Sequence, residues 1–592
     1  MNSRLVFAAL LTLGLFRASR ADVACASADS MAGLMDAWTR DFTTTHPDTP
    51  ARVTLRAKFS AEAFDALLRG DVQVAPFSRE LFPSERARYF EKFGVPPTLV
   101  PIATGSRATK GGTHAIAIFV NERNPIARLT LPQLRDLFSA DGEITRWGQL
   151  GLTGEWAAKK VSAHGMLVRR ETGNPPGIVN YLDNRLLNGR AWRTDLVAHA
   201  DVAGGPQALE LIVRAVAADE TAIGYSGFAY AQPGTKALAL ATIDGGEPFS
   251  GTADDVARRD YPLARTLYLC VAPKPDTATH EFVRFAQSEA GQRAVAADAE
   301  KFFPLPPPIS SVPAGGYITP SDATAVVGYN DMQEMLGALA TEFSFRHPDI
   351  RFALDLKGTR TGPPALAAGR SLFAPMGAEF SAQELATYRA ATGDAPQVFR
   401  VAHASLDPHA LSGPLAIFVH RTNPLASVIL DEVAAIFSGA ASARDLHPCG
   451  LAPETALGLF FRDRVLGRRA LAADFAGFAQ SAEVVKRVGA DPHAIGFAAA
   501  MRVSPDVKIL ALAPHPGDAP VPLTKETLVA GRYPLDRHLL ICTRRAVEPL
   551  TREFLRFALS REGQSLIAQG TLGYLPLNES EIAAELAKLG SR

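Results

Sequence analysis

Only four cysteines occur in this chain of 592 residues, and no sign of charge is in excess, Lys plus Arg and Asp plus Glu numbering 61 each. So few cysteines exclude a disulfide framework. A balanced charge leaves no global field to draw the chain onto nucleic acid, so no nucleic-acid partner is expected and an anion site must come from local geometry. Beyond the N-terminus no apolar run reaches the roughly 20 residues that span a bilayer, and the chain is not expected to be an integral membrane protein. Also missing are an H-E-x-x-H pair, a nucleophile elbow, a G-x-x-x-x-G-K loop and any CxxC or Cys/His metal spacing. These absences point away from an enzyme and from any cofactor or bound metal.

What the chain does have is the composition of a soluble globular protein, 47% hydrophobic and 21% charged, ample for a sizeable core. Arg4 precedes an apolar run from Leu5 to Phe16, and Ser19 and Ala21 place small residues at the −3 and −1 positions of a cleavage site. Residues 1–21 are therefore expected to be a signal peptide, with export of a chain beginning near Asp22; a short buried helix is the alternative. Cys25 does not mark a lipoprotein, because Asp22 stands where a lipobox needs an aliphatic residue.

Most informative is a repeat. Ala75-Pro76-Phe77-Ser78 returns as Ala374-Pro375-Met376-Gly377, and Ile118-Phe119-Val120-Asn121 returns as Ile417-Phe418-Val419-His420, both offset by 299. Ala222-Ile223-Gly224-Tyr225 matches Ala494-Ile495-Gly496-Phe497, and Tyr261-Pro262-Leu263 matches Tyr533-Pro534-Leu535, both offset by 272. Solenoid repeats run about 20–50 residues, so this is a duplicated domain. The change of 27 in offset reads as one block lost from the second copy between Asn423 and Ala494. Cys270 and Cys542 are equivalent under the same offset and read as packing thiols, a Cys25–Cys270 bridge being the alternative.

Strand and helix patterns alternate in both halves. Val23-Ala24-Cys25-Ala26 reads as a strand, Met31, Leu34, Met35, Trp38 and Phe42 recur at helical spacing, and His46-Pro47 breaks that helix. Val72-Gln73-Val74-Ala75 and Ala115 to Asn121 are further strands. The second half repeats the scheme from Ala325-Val326-Val327-Gly328 to His347-Pro348. Such alternation predicts an α/β fold. The proline-stiffened and then glycine-rich stretch around 304–316 separates the halves, giving domains at 22–308 and 322–592 with a linker at 309–321.

The ordered signals of the first half resemble the phosphate-binding, periplasmic substrate-binding proteins of ABC phosphate transporters. Carrying the resemblance are Asp41-Phe42 with His46-Pro47, Val74 to Glu80, Ile116 to Asn121, Asn124-Pro125, Leu129 to Leu134, Leu137-Phe138-Ser139, Trp147, Ala222 to Ser226 and Tyr261 to Arg265. The second half matches more thinly. The resemblance implies two tandem bilobed domains of the type 2 periplasmic-binding fold, each with a ligand cleft between lobes joined by two crossing segments. Residues 22–112 with 256–305 would form one lobe of the first domain, and 113–255 the other. It further implies a periplasmic location, inorganic phosphate or a related oxyanion as ligand, and a role in ABC-type uptake, with transporter membrane subunits as partners, or in sensing.

A dehydrated oxyanion can be held by backbone N–H groups at helix N-termini. Four loops of the first half are candidates: Ala28 and Asp29; Ser60; Phe77 and Ser78; and Thr172, Gly173 and Asn174. By resemblance, Arg169 or Arg170 would clamp two oxygens and the Thr172 hydroxyl would donate another bond; both arginines are alternatively solvated turn residues. Asp29 is either a proton acceptor or a helix cap. In the second half Gly377 replaces Ser78, so its cleft either binds an anion differently or is a degenerate copy. Two other readings remain for the whole chain: a secreted phosphatase-like enzyme of the same fold, and a non-transport binding or structural module.

Overall fold

The short apolar run at Val23 becomes the strand Val23–Ala28, because its alternate side chains enter two separate cores. Cys25 joins Trp38, Phe42 and Phe282 on one face, whereas Ala26 and Ala28 join Phe64, Phe77 and Tyr89 on the other. The computed structural model describes residues 22–590 except 111, 168–172, 299, 308–315, 320–322, 441–444 and 468, and except the side chain of Asp29. Residues 1–21 and most of 309–321 thus lie outside the described residues. The chain divides into two compact units, one of residues up to 127 with 133–239 and 249–305, the other of 128–132, 240–248 and 306 onward.

Two sheets make up the first unit. One runs in the order Phe302–Phe303, Thr98–Gly105, Thr266–Val271, Val74–Phe77, Val23–Ala28, Ala51–Ala57. The helix Ala32–Thr45 covers one face, its Trp38 donating from Nε1 to the Gly291 carbonyl at 2.8 Å. The helices Ser60–Arg69 and Pro83–Phe93 supply Phe64 and Tyr89 to the core on the other. The second sheet runs Thr235–Ala237, Ile116–Asn121, Ala222–Gly227, Ser162–Met166, Val197–His199, with the helix Ala208–Ala218 burying Ile212, Val213 and Val216. The chain passes between the sheets at 105–116 and again at 263–266. These two crossings are tied together: Gly105 N–H donates to Arg265 O at 2.9 Å, Ile116 N–H to Leu263 O at 3.1 Å, and Tyr261 OH to Ile116 O at 2.9 Å. A bilobed α/β domain with a double crossing is what the resemblance implied.

The second unit repeats these parts. Its five-stranded sheet, Ala476–Phe478, His447–Leu451, Ala494–Ala499, Leu415–His420, Val507–Ile509, has the strand order of its counterpart. Its other lobe pairs Thr324–Gly328 with Phe352–Leu356 in parallel, and Ala374–Met376, His538–Thr543 and Gln397–His403 antiparallel.

Equivalent elements correct the reading of a single lost block. The offset is 299 at the helices starting Leu131 and Leu430, 285 at the strands starting Ser162 and His447, 279 at the helices starting Gly177 and Ala456, and 272 at Ala222 and Ala494. The second copy is therefore shorter by 14, then 6, then 7 residues; the first loss falls where the first copy has the 3-10 turn Trp147–Leu150 and the short helix Glu155–Ala158, and the other two fall in connections. Connections tolerate such loss because they carry little of the core.

All four cysteines are free and buried. Cys25 and Cys270 belong to the cores on opposite faces of one sheet, so they do not bridge. Burial pushes the Cys270 and Cys542 thiols up to about 12, as suits packing groups. His46 and His347 end their helices, each N–H donating at 2.8 Å to the carbonyl four residues back.

Candidate functional site

Three of the four proposed loops leave one edge of one sheet. Val23–Ala28 is parallel to Ala51–Ala57, with Ala28 opposite Ala57, and parallel to Val74–Phe77, with Cys25 opposite Val74. Ala28, the Lys58–Ser60 turn and Phe77–Ser78 consequently emerge side by side at the carboxyl ends of neighbouring strands, the place where open α/β sheets bind ligands. Ala28, Ser60 and Phe77 are buried and Ser78 is half-buried. A short 3-10 turn, Asp29–Met31, leads from Ala28 into the helix Ala32–Thr45, and Ser60 starts the next helix. Among the described residues neither helix carries a side-chain cap on its first turn, where orphan N–H groups concentrate.

The fourth loop comes from the other sheet. Arg169, Arg170 and Thr172 lie outside the described residues. Gly173 has φ +141 and is exposed, as is Asn174. Asn174 Oδ1 accepts from Ser84 Oγ at 2.7 Å. A Cβ on Gly177, the first residue of the helix Gly177–Leu182, would lie 3.3 Å from Arg79 Cδ. These contacts bring the Gly173–Gly177 segment onto the Arg79–Ser84 segment that follows Ser78. Asn174 and Gly177, which follow the fourth loop, thus lie against the segment that follows the third. Thr113 Oγ1, on a crossing segment, donates to Ser78 O at 2.6 Å and fixes the third loop.

Two charged groups there were not singled out from sequence. Arg79 is spent on Glu85 through a bidentate pair at 2.7 and 2.8 Å and lies over the Phe82 ring. Arg265 is buried, and its Nε has no hydrogen-bond partner. It lies within electrostatic reach of Glu80, whose carboxyl burial pushes up and Arg265 partly pulls back, and of His114, which burial and Arg265 together hold down at about 4. The repeat contained a signal: Arg265 recurs as Arg537 at the 272 offset, and both are buried. By contrast His164 and His447, which precede the fourth loop in each copy, are engaged within their own sheets. His164 bonds His199 and Ser162 at 3.0 and 3.1 Å, and His447 bonds Asp491 at 2.8 Å.

The corresponding cleft of the second unit is built differently. Tyr329 follows the strand Thr324–Gly328, where the first copy has Ala28, and its ring lies so close that a Cβ on Gly377 would meet it at 2.5 Å. Its hydroxyl bonds Ser412 at 2.9 Å. Backbone donors are already used: Gly377 N–H donates to Thr359 Oγ1 at 3.1 Å and Gly458 N–H to the capping Thr455 Oγ1 at 3.0 Å. Arg537 Nη2 donates to Gly377 O at 2.6 Å. A cavity of about 300 Å³ remains, lined by Tyr329, Thr359, Thr455 and Arg537 among others.

A known family matches both halves of the chain. The family model for the PBP superfamily domain matches twice, over residues 17–290 and 317–562. The phosphate-binding protein PstS of Pseudomonas aeruginosa is 30% identical over 288 residues, covering 47% of this chain and 81% of the relative. Protein SphX of Synechococcus elongatus is 25% identical over 247 residues, covering 40% and 66%. Among solved structures, an ABC-type phosphate transport receptor from Vibrio cholerae is 19% identical, covering 48% of this chain and 100% of its own at a TM-score of 0.32. PstS from Borrelia burgdorferi is 15% identical, covering 43% and 98% at a TM-score of 0.31. Among the described residues no helix is long and apolar enough to cross a membrane.

Proposed function

Since this chain belongs to the PBP superfamily and carries its domain twice, we propose that it is an exported solute-binding protein whose first unit captures inorganic phosphate. The observation that carries the reading is the alignment of Ala28, Ser60 and Phe77–Ser78 at one carboxyl edge, with two uncapped helix starts among them. Similarity to a phosphate-binding protein over 47% of the chain supports phosphate as the oxyanion. Converging N–H dipoles stabilise an anion without a lysine cluster, and closing the cleft removes water that would weaken them. Arg169 or Arg170 supplies the charged clamp, and Thr172, Gly173 and Asn174 complete the shell from the second sheet. The Ser78 hydroxyl can both donate to an oxyanion and accept a hydrogen bond from the P–O–H of hydrogen phosphate; being uncharged it does not repel sulfate, so the preference for phosphate rests on the resemblance. Asp29 is the other acceptor at the edge.

The second unit, with its donors internally satisfied and Tyr329 against Gly377, takes no phosphate and serves as a retained scaffold. The bound ion is handed to ABC transporter membrane subunits on the periplasmic side. The test is calorimetric titration of the chain from residue 22 with phosphate, sulfate and a phosphate monoester. Phosphate binds more tightly than sulfate on this reading, and the monoester is not turned over. Unchanged phosphate affinity in Arg169→Ala/Arg170→Ala would refute the clamp, and ester hydrolysis would favour an enzyme.

A further inference from the structure

One position differs between the two copies in a way that phosphate binding does not use. In the first unit Thr104 pairs with Thr266 across neighbouring strands, and in the second His403 pairs with His538. The pairs are equivalent, offset by 299 and 272. Between the threonines lies a cation of the chain's own: Arg259, almost completely buried, donates from Nη1 to Thr104 Oγ1 at 3.0 Å and from Nη2 to Thr266 Oγ1 at 2.8 Å. Arg259 holds a left-handed φ of 62 to reach there, and its counterpart Gly531 keeps that backbone at 64 with no side chain. The second unit has thus lost the guanidinium and gained two imidazoles at the same place.

Two carboxylates join them. His403 is fully buried, its Nδ1 2.6 Å from Asp536 Oδ2 and its Nε2 2.9 Å from Glu581 Oε2. His538 Nε2 lies 3.5 Å from Glu581 Oε1 and 3.9 Å from Asp536 Oδ2. Among the described residues neither Nε2 atom makes a hydrogen bond of acceptable geometry. One ligand atom each from His403, Asp536 and His538 lies within 4.8 Å of the others. Glu581 is held in place by the Asn578 N–H at 3.1 Å. Its nearest guanidinium, Arg400 Nη1, is 3.7 Å away, and Arg400 Nε is committed to Glu585 at 2.6 Å.

We propose that His403 Nε2, His538 Nε2 and the Glu581 carboxylate bind one divalent transition-metal ion of the zinc class. Asp536 accepts from His403 Nδ1–H and so turns Nε2 toward the ion, the arrangement by which carboxylates orient metal-bound histidines. Tetrahedral zinc with bonds of about 2.0–2.1 Å to nitrogen and oxygen separates its ligands by about 3.3 Å, against 2.9 Å and 3.5 Å from the Glu581 oxygens to His403 Nε2 and His538 Nε2. Imidazole with carboxylate suits zinc and its neighbours rather than magnesium or calcium. A cavity of about 680 Å³, lined by Asp536, His538 and Glu581 and also by Arg360, Arg400, Arg462 and Arg464, reaches the cluster and leaves room for a water ligand. The ion would tie the C-terminal helix Glu579–Lys588 to the strands Gln397–His403 and His538–Thr543, replacing the fastening that Arg259 provides in the first unit.

The experiment uses the chain from residue 22, without an affinity tag, stripped with a chelator and dialysed against micromolar zinc. Metal analysis is expected to find one zinc per chain and a higher melting temperature than in the stripped protein. His538→Gln and Glu581→Gln each lose that ion while circular dichroism and phosphate affinity stay unchanged. His538 is part-exposed, so its variant is expected to fold even where one of His403 does not. Absence of stoichiometric zinc, or zinc retained in both variants, overturns the proposal and leaves the cluster as an internal imidazole–carboxylate network.

Discussion

Ala28 and Ser78 in the first copy exchange volume with Tyr329 and Gly377 in the second, and the exchange sets what each sheet edge can accept. Where the first pair leaves the edge open, the tyrosine ring covers it and fits only because position 377 has no Cβ. Ala28→Tyr/Ser78→Gly should therefore transplant the covered edge into the first unit. The expected outcome is loss of phosphate binding by calorimetry with an unchanged circular dichroism spectrum. A second residue-scale prediction concerns His114, buried near Arg265 and held down at about 4. Its folded-state value lies below the unfolded one near 6.5, so the unfolded chain takes up the proton first. Stability is then full above about pH 6.5 and falls as pH drops toward 4, by roughly 3 kcal/mol if the whole shift counts. Denaturant unfolding across that range should show the slope, and His114→Gln should flatten it. None of this was legible from sequence, because a volume exchange between residues 301 and 299 positions apart shows only when both rings and backbones are placed. Gly377 was visible as a lost hydroxyl, but not as a gap that Tyr329 fills.

At the scale of elements, the buried pair Arg79–Glu85 joins the loop after Val74–Phe77 to the helix Pro83–Phe93. The two side chains are 13% and 4% exposed, and Glu85 Oε2 also accepts the Phe82 N–H at 2.8 Å. Removing one partner of such a pair leaves an uncompensated buried charge, at a cost of about 3–5 kcal/mol. Arg79→Met should lower stability by that order in urea unfolding, and Arg79→Met/Glu85→Leu should recover part of it. Strand and helix placement was largely legible here. The alternation around Val74, the helical spacing of Met35, Trp38 and Phe42, and the Pro after His46 each announced an element that the structure contains. What sequence patterns did not carry was pairing. That Ala28 lies opposite Ala57, and that Arg79 is spent on Glu85 rather than on a ligand, depend on contacts between segments far apart or on a turn's geometry.

For the whole molecule, the repeat was the strongest signal and also the one the structure refined most. Two offsets suggested one excision; equivalent strands and helices show three, and the second of them shortens the connection between His447–Leu451 and Ala456–Phe461. That connection corresponds to the loop expected to clamp the anion, which accounts for the absence of an arginine just before Thr455. Duplication therefore preserved the strand order of the five-stranded sheet, while the second copy lacks the arginines proposed as the clamp, has Tyr329 against Gly377 and carries the His403–His538 pair.

The central claim, one phosphate site per chain in the first unit, is tested most directly by the stoichiometry of phosphate binding to the purified chain from residue 22. Calorimetry should give one site per chain, abolished by Arg169→Ala/Arg170→Ala and untouched by Tyr329→Phe. Two sites per chain, or a single site that survives loss of both arginines, would contradict it.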